Sequence, residues 1–563
     1  MNKHRVLAIV LLGVGLFLRL WGVDYGLPFP LVSDEEIMLG GALRMLELRS
    51  LIPALNPEAM SILYYPVAVP YLYLVLMTPV IAGLYVLNGL PSMDQFGLVV
   101  LDNLGPIWLV ARLSSVVMST ATLYFVYRLG TVLFRSPLAG FVSAALMSFD
   151  YFHVMLGHMA RHVTATVFLI WVVAWLSLRY FEKPDLRKAV AIGVLSGIGF
   201  GVSYIGAFGL GFGVVAHLIC WRQARTRLVG RNLLAMAGGC LMLVALFVVI
   251  YPQPIIRLMT ILPIAEPKTL AGWWNAVIFY ARAVWLSNPA LLIMAAAGLI
   301  AVAMMRRWLL LGGALFLILF YTAFLYDALM LEDRYILPLS PVLALLGGFA
   351  ANEAWQRFGS RRQARIGMLL GFMCLLAYPA AVSFRAAYLL AQADTRIVAM
   401  QWLEKNLPAD ALIVMNTNVV RLTPSLEALS AQKALDPASL KAVDRLRLAK
   451  GAAGGPEERN VLNLWQLSSA GLKMVDNENL AGTLRERGYR YYVVDGFGAR
   501  QIPKLNAALL QGGEELARFS TGDSAYPPPT LRTTTLVPYA MHHLFSVDRF
   551  GPEVVVMKLS GKN

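Results

Sequence analysis

The 563-residue chain is 58% hydrophobic and only 14% charged, where a soluble domain carries about 25% charged residues. This excludes a single soluble domain and marks a polytopic membrane protein up to about residue 390. The net charge of +15 is no sign of nucleic acid, because Lys and Arg cluster between apolar segments, where cytoplasmic loops require them and where they meet anionic membrane lipid.

Lys3, His4 and Arg5 precede the first span, Val6–Gly22, and place the N-terminus in the cytoplasm. Met1 to Trp21 has the look of a signal peptide, but no small-residue cleavage site follows, so the segment is kept as a span. Arg19 near its far end reads as a snorkelling anchor. A large outer loop, 23–108, opens next and carries Ser33-Asp34-Glu35-Glu36. The run Ile37–Leu46 behind these acids has helical apolar spacing and reads as a helix on the membrane surface. Carboxylates at a membrane boundary are costly to desolvate, which makes them site candidates; the same acids also favour a helix N-terminus.

Tyr71–Leu87 is apolar enough to span and raises a question of parity. If it spans, every later basic cluster, from Arg128/Arg135 to Arg357/Arg361/Arg362/Arg365, falls outside. The positive-inside rule therefore favours a re-entrant or surface segment, broken by Pro66, Pro70 and Pro79. Ten further spans follow: Leu109–Tyr127, Leu138–Leu156, Val163–Leu178, Ala189–Tyr204, Gly206–Trp221, Asn232–Tyr251, Pro289–Met305, Trp308–Tyr326, Ile336–Ala351 and Ile366–Tyr388. The expected architecture is a polytopic α-helical membrane protein of about eleven transmembrane helices. The outer loop Pro252–Asn288 holds Trp273, Trp274, Phe279, Tyr280 and Trp285, an aromatic set suited to the membrane interface. Cys220, Cys240 and Cys374 lie in apolar segments and form neither a disulfide framework nor a metal spacing.

From Ala391 charges, Asn and Gly appear and the apolar runs shorten. Arg396–Asn406 and Ile502–Leu510 read as helices; Ala411–Met415, Tyr489–Val494 and Glu553–Leu559 read as strands. The chain thus divides into a transmembrane domain, 1–390, and a C-terminal extracytoplasmic α/β domain, 391–563, without a nucleotide-binding glycine pattern.

Polar groups gather at the outer ends of several spans: Asp34, Glu35 and Glu36; Asp150, His153, His158, Arg161 and His162; and Glu332, Asp333 and Arg334. Acids outside and bases inside argue against a cytoplasmic nucleotide-sugar site. An outer site implies a substrate that arrives through the membrane, such as a lipid-linked donor. Its phosphate calls for Arg and its fork-shaped, charge-assisted hydrogen bonds, which Arg334 and Arg161 can supply. Arg334 has an alternative partner in Glu332 or Asp333. No cofactor is indicated; the loose spacing of His153, His158 and His162 leaves a divalent metal open.

Arg19-Leu20-Trp21-Gly22, then Asp34-Glu35 before an amphipathic helix, then Arg334-Tyr335-Ile336-Leu337-Pro338-Leu339-Ser340-Pro341 together resemble the C-type glycosyltransferase superfamily. The nearest branch is that of the protein O-mannosyltransferases and aminoarabinose lipid A transferases. Arg112-Leu113-Ser114-Ser115 and Arg135 also fit, and the resemblance runs over residues 6–390. It implies an inverting sugar transfer on the outer face of the cell membrane, from a polyprenyl-phosphate donor to a protein, lipid or glycan acceptor. Asp34 then matches the general base, Glu35 the acid that positions base or acceptor, and Arg334, with Tyr335 beside it, the donor-phosphate site. Where the family often has Arg-Pro-Asp, this chain reads Ala160-Arg161-His162-Val163. The second acid is missing there, and Asp150, His158, His162, Glu332 and Asp333 become the accessory candidates. Two other readings are a lipid-linked-sugar transporter, which would place polar residues mid-membrane in repeated halves, and an inactive scaffold that binds donor lipid without turnover.

Overall fold

The computed structural model describes residues 3–29, 31–32, 35–56, 66–224, 228–256, 269–328, 332–417, 420–451, 458–469, 476–522 and 543–559. Up to Leu390 the chain is a bundle of apolar helices. α1 (Lys3–Leu20), α2 (Glu35–Glu47), α3 (Ala68–Leu87) and α4 (Met93–Asp102) lead into the 30-residue α5 (Leu104–Leu133). Next come α6 (Pro137–Ser148), α7 (Tyr151–Gly157), α8 (His162–Glu182), α9 (Leu186–Val202), α10 (Gly209–Ala224) and α11 (Leu228–Ile250). The bundle ends with α12 (Leu270–Ser287), α13 (Pro289–Met304), α14 (Trp308–Ala328), α15 (Ser340–Phe358) and α16 (Arg362–Leu390). Among the described residues, eight helices are long and apolar enough to cross a membrane, nine with α6 and α7 taken as one bent span. The chain is a multi-pass membrane protein. That set includes α3; of the eleven expected spans, α9 and α13 are shorter, at 17 and 16 residues, and the 18-residue α1 carries Lys3, Arg5 and Arg19.

Two expectations need correction. Leu138–Leu156 is not one straight span: α6 and α7 meet at a 64° bend. Asp150 causes the break, because its carboxylate caps α7 by accepting from the Phe152 amide at 3.3 Å. Tyr71–Leu87 is not broken at its prolines. α3 is continuous: Pro70 lies in its first turn, where a missing N–H costs little, and Pro79 is carried inside. By length and composition α3 qualifies as a span. Tyr73 and Met77 pack with Ile107, Trp108 and Ala111 at the start of α5. Tyr85 meets Phe96 of α4 edge-on, and Asp102 at the end of α4 bonds Arg447 of the C-terminal region at 2.5 Å.

After Leu390, α17 (Thr395–Asn406) leads into a five-stranded sheet. Its strands are β1 (Leu412–Asn416), β2 (Asn460–Asn463), β3 (Tyr491–Asp495), β4 (Glu514–Phe519) and β5 (Val554–Lys558), in the order β2-β1-β3-β5-β4. β1 runs parallel to β2 and β3; β5 is antiparallel to β3 and β4. Alternation along β1 and β3 sends Val414 and Tyr492 to one face, under Leu464, Leu484 and Leu505, and Ile413, Met415 and Val493 to the other, under Ala399 and Leu403 of α17. β2 and β4 escaped the sequence reading: β2 has four residues, and β4 is a largely polar edge strand with a register shift between Glu515 and Ala517.

The two regions join at a glycine-dependent seam. Gly22, at φ +89°, lies against the Leu390–Ala391 backbone, 2.7 Å from where a Cβ would stand. Gly551, at φ +123°, leaves room for Thr395 and Asp394. Across the seam Tyr25 donates to Asp394, which Arg396 grips at 2.7 and 2.9 Å. Burial and the Asp394 charge push the Tyr25 hydroxyl pKa well above its ordinary value. Gly22→Ala is therefore expected to cost about 1–3 kcal/mol from backbone strain alone. Gly13→Ala, in an open helical position, should be neutral or slightly stabilising; melting temperatures of the two variants in detergent check this.

Candidate active site

The acidic stretch is held by the residues around it. Asp34 and Ser33 lie outside the described residues; Leu31 and Val32 before them are buried. Glu35 begins α2, where its charge suits the helix N-terminus. Its side chain is 0% exposed and pairs with Arg112 of α5, itself 1% exposed. The pairing is bidentate: Arg112 Nε to Oε1 at 3.0 Å and Nη2 to Oε2 at 2.8 Å. Glu35 Oε1 also accepts from the Ala160 amide at 2.7 Å. Arg112 Nη1 donates to the carbonyls of Val23 and Tyr25. Both charges are saturated by protein, so Glu35 meets no substrate.

Ala160 belongs to the short link between α7 and α8; Arg161 ends that link and His162 begins α8. Arg161 and His162 are buried, and His162 lies within electrostatic reach of both Arg161 and Arg334. Glu332, Asp333 and Arg334 open the tight turn Asp333–Leu339 and are buried as well. Arg334 pairs with Glu332, the alternative partner expected from the sequence, and lies over the Tyr335 ring at 5.2 Å. Tyr321 Oη donates to the Tyr335 carbonyl at 2.8 Å, and Trp171 Nε1 to the Pro338 carbonyl at 3.3 Å. Tyr280 reaches the Glu332 backbone, and Asp333 lies near Tyr151 and Tyr280. The α7–α8 link thus binds Glu35 through Ala160, while His162 at the start of α8 lies within electrostatic reach of Arg334.

Two accessory candidates fall elsewhere. Asp150 caps α7 and sits beside Arg19 and Ser340, away from these clusters. The His158 ring lies between two backbone carbonyls, with Nδ1 2.8 Å from that of Val154 and Nε2 3.1 Å from that of Trp21; the neutral ring donates to one of them. Arg19 is no snorkelling anchor: fully buried, it donates to Ser119 Oγ at 2.6 Å, to the Gly15 carbonyl at 2.7 Å and to His153 Nδ1 at 2.6 Å. A guanidinium only donates, so His153 Nδ1 must accept and is withdrawn from metal binding. No group of three or more His, Cys, Asp or Glu able to hold a metal occurs among the described residues. The sequence reading missed the roles of Arg112 and Arg19; arginines inside apolar segments were the signal.

Residues 105–251 match the family model described as dolichyl-phosphate-mannose-protein mannosyltransferase. The match spans α5 to α11, including Arg112 and the 158–162 link, and upholds over that stretch the resemblance to C-type membrane glycosyltransferases. No curated protein matches the chain. Among solved structures, the chain is similar to the oligosaccharyltransferase of Archaeoglobus fulgidus in complex with Zn and sulfate, at 12% identity and a TM-score of 0.43, covering 87% of this chain and 68% of that one. ArnT from Cupriavidus metallidurans bound to undecaprenyl phosphate is 12% identical with a TM-score of 0.43, over 92% and 97% of the two chains. The arabinofuranosyltransferase AftD from Mycobacteria is 15% identical with a TM-score of 0.38, over 100% of this chain and 42% of that one.

Two outcomes follow. Arg112→Met alone strands a buried carboxylate and should cost about 3–5 kcal/mol, whereas Arg112→Met with Glu35→Leu should regain most of it; thermal unfolding in detergent measures both. Burial holds the His158 imidazole down at about 4, against about 6.5 when unfolded. The unfolded chain then binds more protons below pH 6.5, so this contribution is complete above that pH and is lost as pH falls toward 4. The loss amounts to about 3 kcal/mol. A pH series of melting temperatures should show that slope in the parent and less of it in His158→Gln.

Proposed function

We propose that this protein is a membrane glycosyltransferase that moves a sugar from a polyprenyl-phosphate donor to an acceptor hydroxyl on the outer face of the membrane, with inversion. One observation supports the reading: Ala160, in the α7–α8 link, binds Glu35 of the acidic stretch, and His162, two residues on at the start of α8, lies within electrostatic reach of Arg334. The family match adds the lipid-phosphate sugar as donor class.

In this reading Asp34 takes the proton of the acceptor hydroxyl as its oxygen attacks the anomeric carbon. The bond from that carbon to the phosphate oxygen breaks on the opposite face, which inverts the centre. The leaving lipid phosphate gains a negative charge, and Arg334 with Arg161 stabilises it through preorganised donors. Tyr335, under the Arg334 guanidinium, keeps that side chain in place. Glu35 holds the base in position. Positive clusters on the inner loops and the acids on the outer ones put residues 1–390 in the cell membrane with the N-terminus in the cytoplasm, and residues 391–563 outside.

Purified protein given a panel of polyprenyl-phosphate sugars should release polyprenyl phosphate from one of them. Asp34→Asn is expected to lower that rate by about 10²–10⁴-fold, and Arg334→Gln by about 10²–10³-fold. Full turnover in Asp34→Asn would remove the base assignment.

A further inference from the structure

The bundle carries a further arginine cluster at the end away from Glu35. Arg128 lies sixteen residues after Arg112 on α5, about 24 Å further along the helix axis. That is close to the thickness of a hydrocarbon core, about 30 Å. On the neighbouring α8, Trp175 and Arg179 stand in the last two turns, which end at Glu182. The cluster therefore sits at the membrane boundary opposite the acidic stretch.

The Arg128 guanidinium is 5.1 Å from the centre of the Trp175 ring and 5.8 Å from that of Tyr124. Arg179 comes within 5.6 Å of the same indole. Two like charges thus share one aromatic ring, whose negative face attracts both. Trp175 is fixed in turn by packing against the bundle core. Arg128 Nη1 donates to Tyr124 Oη at 3.2 Å, and Arg179 Nη1 donates to Glu182. Among the described residues, Nε and Nη2 of both arginines have no hydrogen-bond partner. That edge is the one Arg112 presents to Glu35, so this molecule already shows it gripping an oxyanion with two bonds. The two acids nearby are each engaged, Glu182 by Arg179 and Asp185 by Lys188. Tyr124 and Arg179 are half exposed, which leaves the open edges within reach of the membrane surface.

We infer that Arg128, Trp175 and Arg179 bind the phosphate of an anionic phospholipid, in the leaflet away from the candidate active site. A phosphate has oxygens for both guanidinium edges, and its planar, two-bond fit to arginine exceeds that to lysine. A headgroup with net negative charge gains from both cations, whereas the ammonium of a zwitterionic one offsets that gain. Trp and Tyr rings belong at headgroup depth. Val117, seven residues before Tyr124 on the same face of α5, is exposed and gives the acyl chains an apolar wall.

The test is binding of phosphatidylglycerol, labelled on an acyl chain, to the full chain in detergent. Unlabelled phosphatidylglycerol should compete about tenfold better than phosphatidylcholine, and inorganic phosphate at the same concentration should not compete. Arg128→Gln with Arg179→Gln should weaken binding by about tenfold or more. Trp175→Leu, which keeps both charges, should weaken it as well. Arg357→Gln with Arg361→Gln, which removes equal charge from α15 and the turn after it, should change affinity by less than about twofold. If the glutamine pair unfolds, Arg128→Lys with Arg179→Lys decides: it keeps the charge, removes the fork and should still lose affinity. Equal competition by phosphatidylcholine, an equal loss in the Arg357/Arg361 variant, or unchanged affinity in Trp175→Leu or in either Arg128/Arg179 pair would overturn the inference. Displacement by inorganic phosphate would overturn the lipid as occupant.

Discussion

Glu35 and Arg112 sit where neither charge could be left alone. Each is withdrawn from water inside an apolar bundle, and the cost of an uncompensated charge there exceeds that of most single contacts in the molecule. The bidentate geometry, the Ala160 amide and the carbonyls of Val23 and Tyr25 together satisfy both groups. Four separate pieces of chain, the 23–25 turn, α2, α5 and the α7–α8 link, are therefore obliged to meet at one point. The acidic stretch and the link that carries Arg161 and His162 hold their relation because this pair requires it.

A second buried arginine does related work nearby. Arg19 ties α1 to Ser119 of α5 and to His153 of α7, and Asp150 stands at the bend between α6 and α7. The bend shortens the straight path of α6–α7 and brings the chain to the link that contains Ala160. Polar side chains inside the apolar region thus serve here mainly as joints. Their donors and acceptors face other protein atoms.

The C-terminal region is joined to the bundle by the side chains of Asp394, Arg421 and Arg447. Gly22 and Gly551 make the close backbone approach at that seam sterically feasible.

The sequence by itself determined the membrane class, the helical bundle, the α/β character of the C-terminal region and the residue types available for a site. Those follow from hydrophobic periodicity and from charge placement, which are local properties of the chain. It also pointed to Asp34-Glu35 and Arg334 as a pair of motifs, and the family match supports the kinship over residues 105–251. Tertiary structure decided the rest. Whether Glu35 meets a substrate or Arg112, whether Arg19 snorkels or is buried, and whether His158 is open or bonded to Val154 and Trp21 depend on partners far away in sequence. The course of α3 likewise depends on what its two ends touch, since its composition alone fits a span. A charged residue's type states what it can bind; only the fold decides which partner reaches it first, because desolvation forces each buried charge to take whatever complementary group packing brings within hydrogen-bond distance.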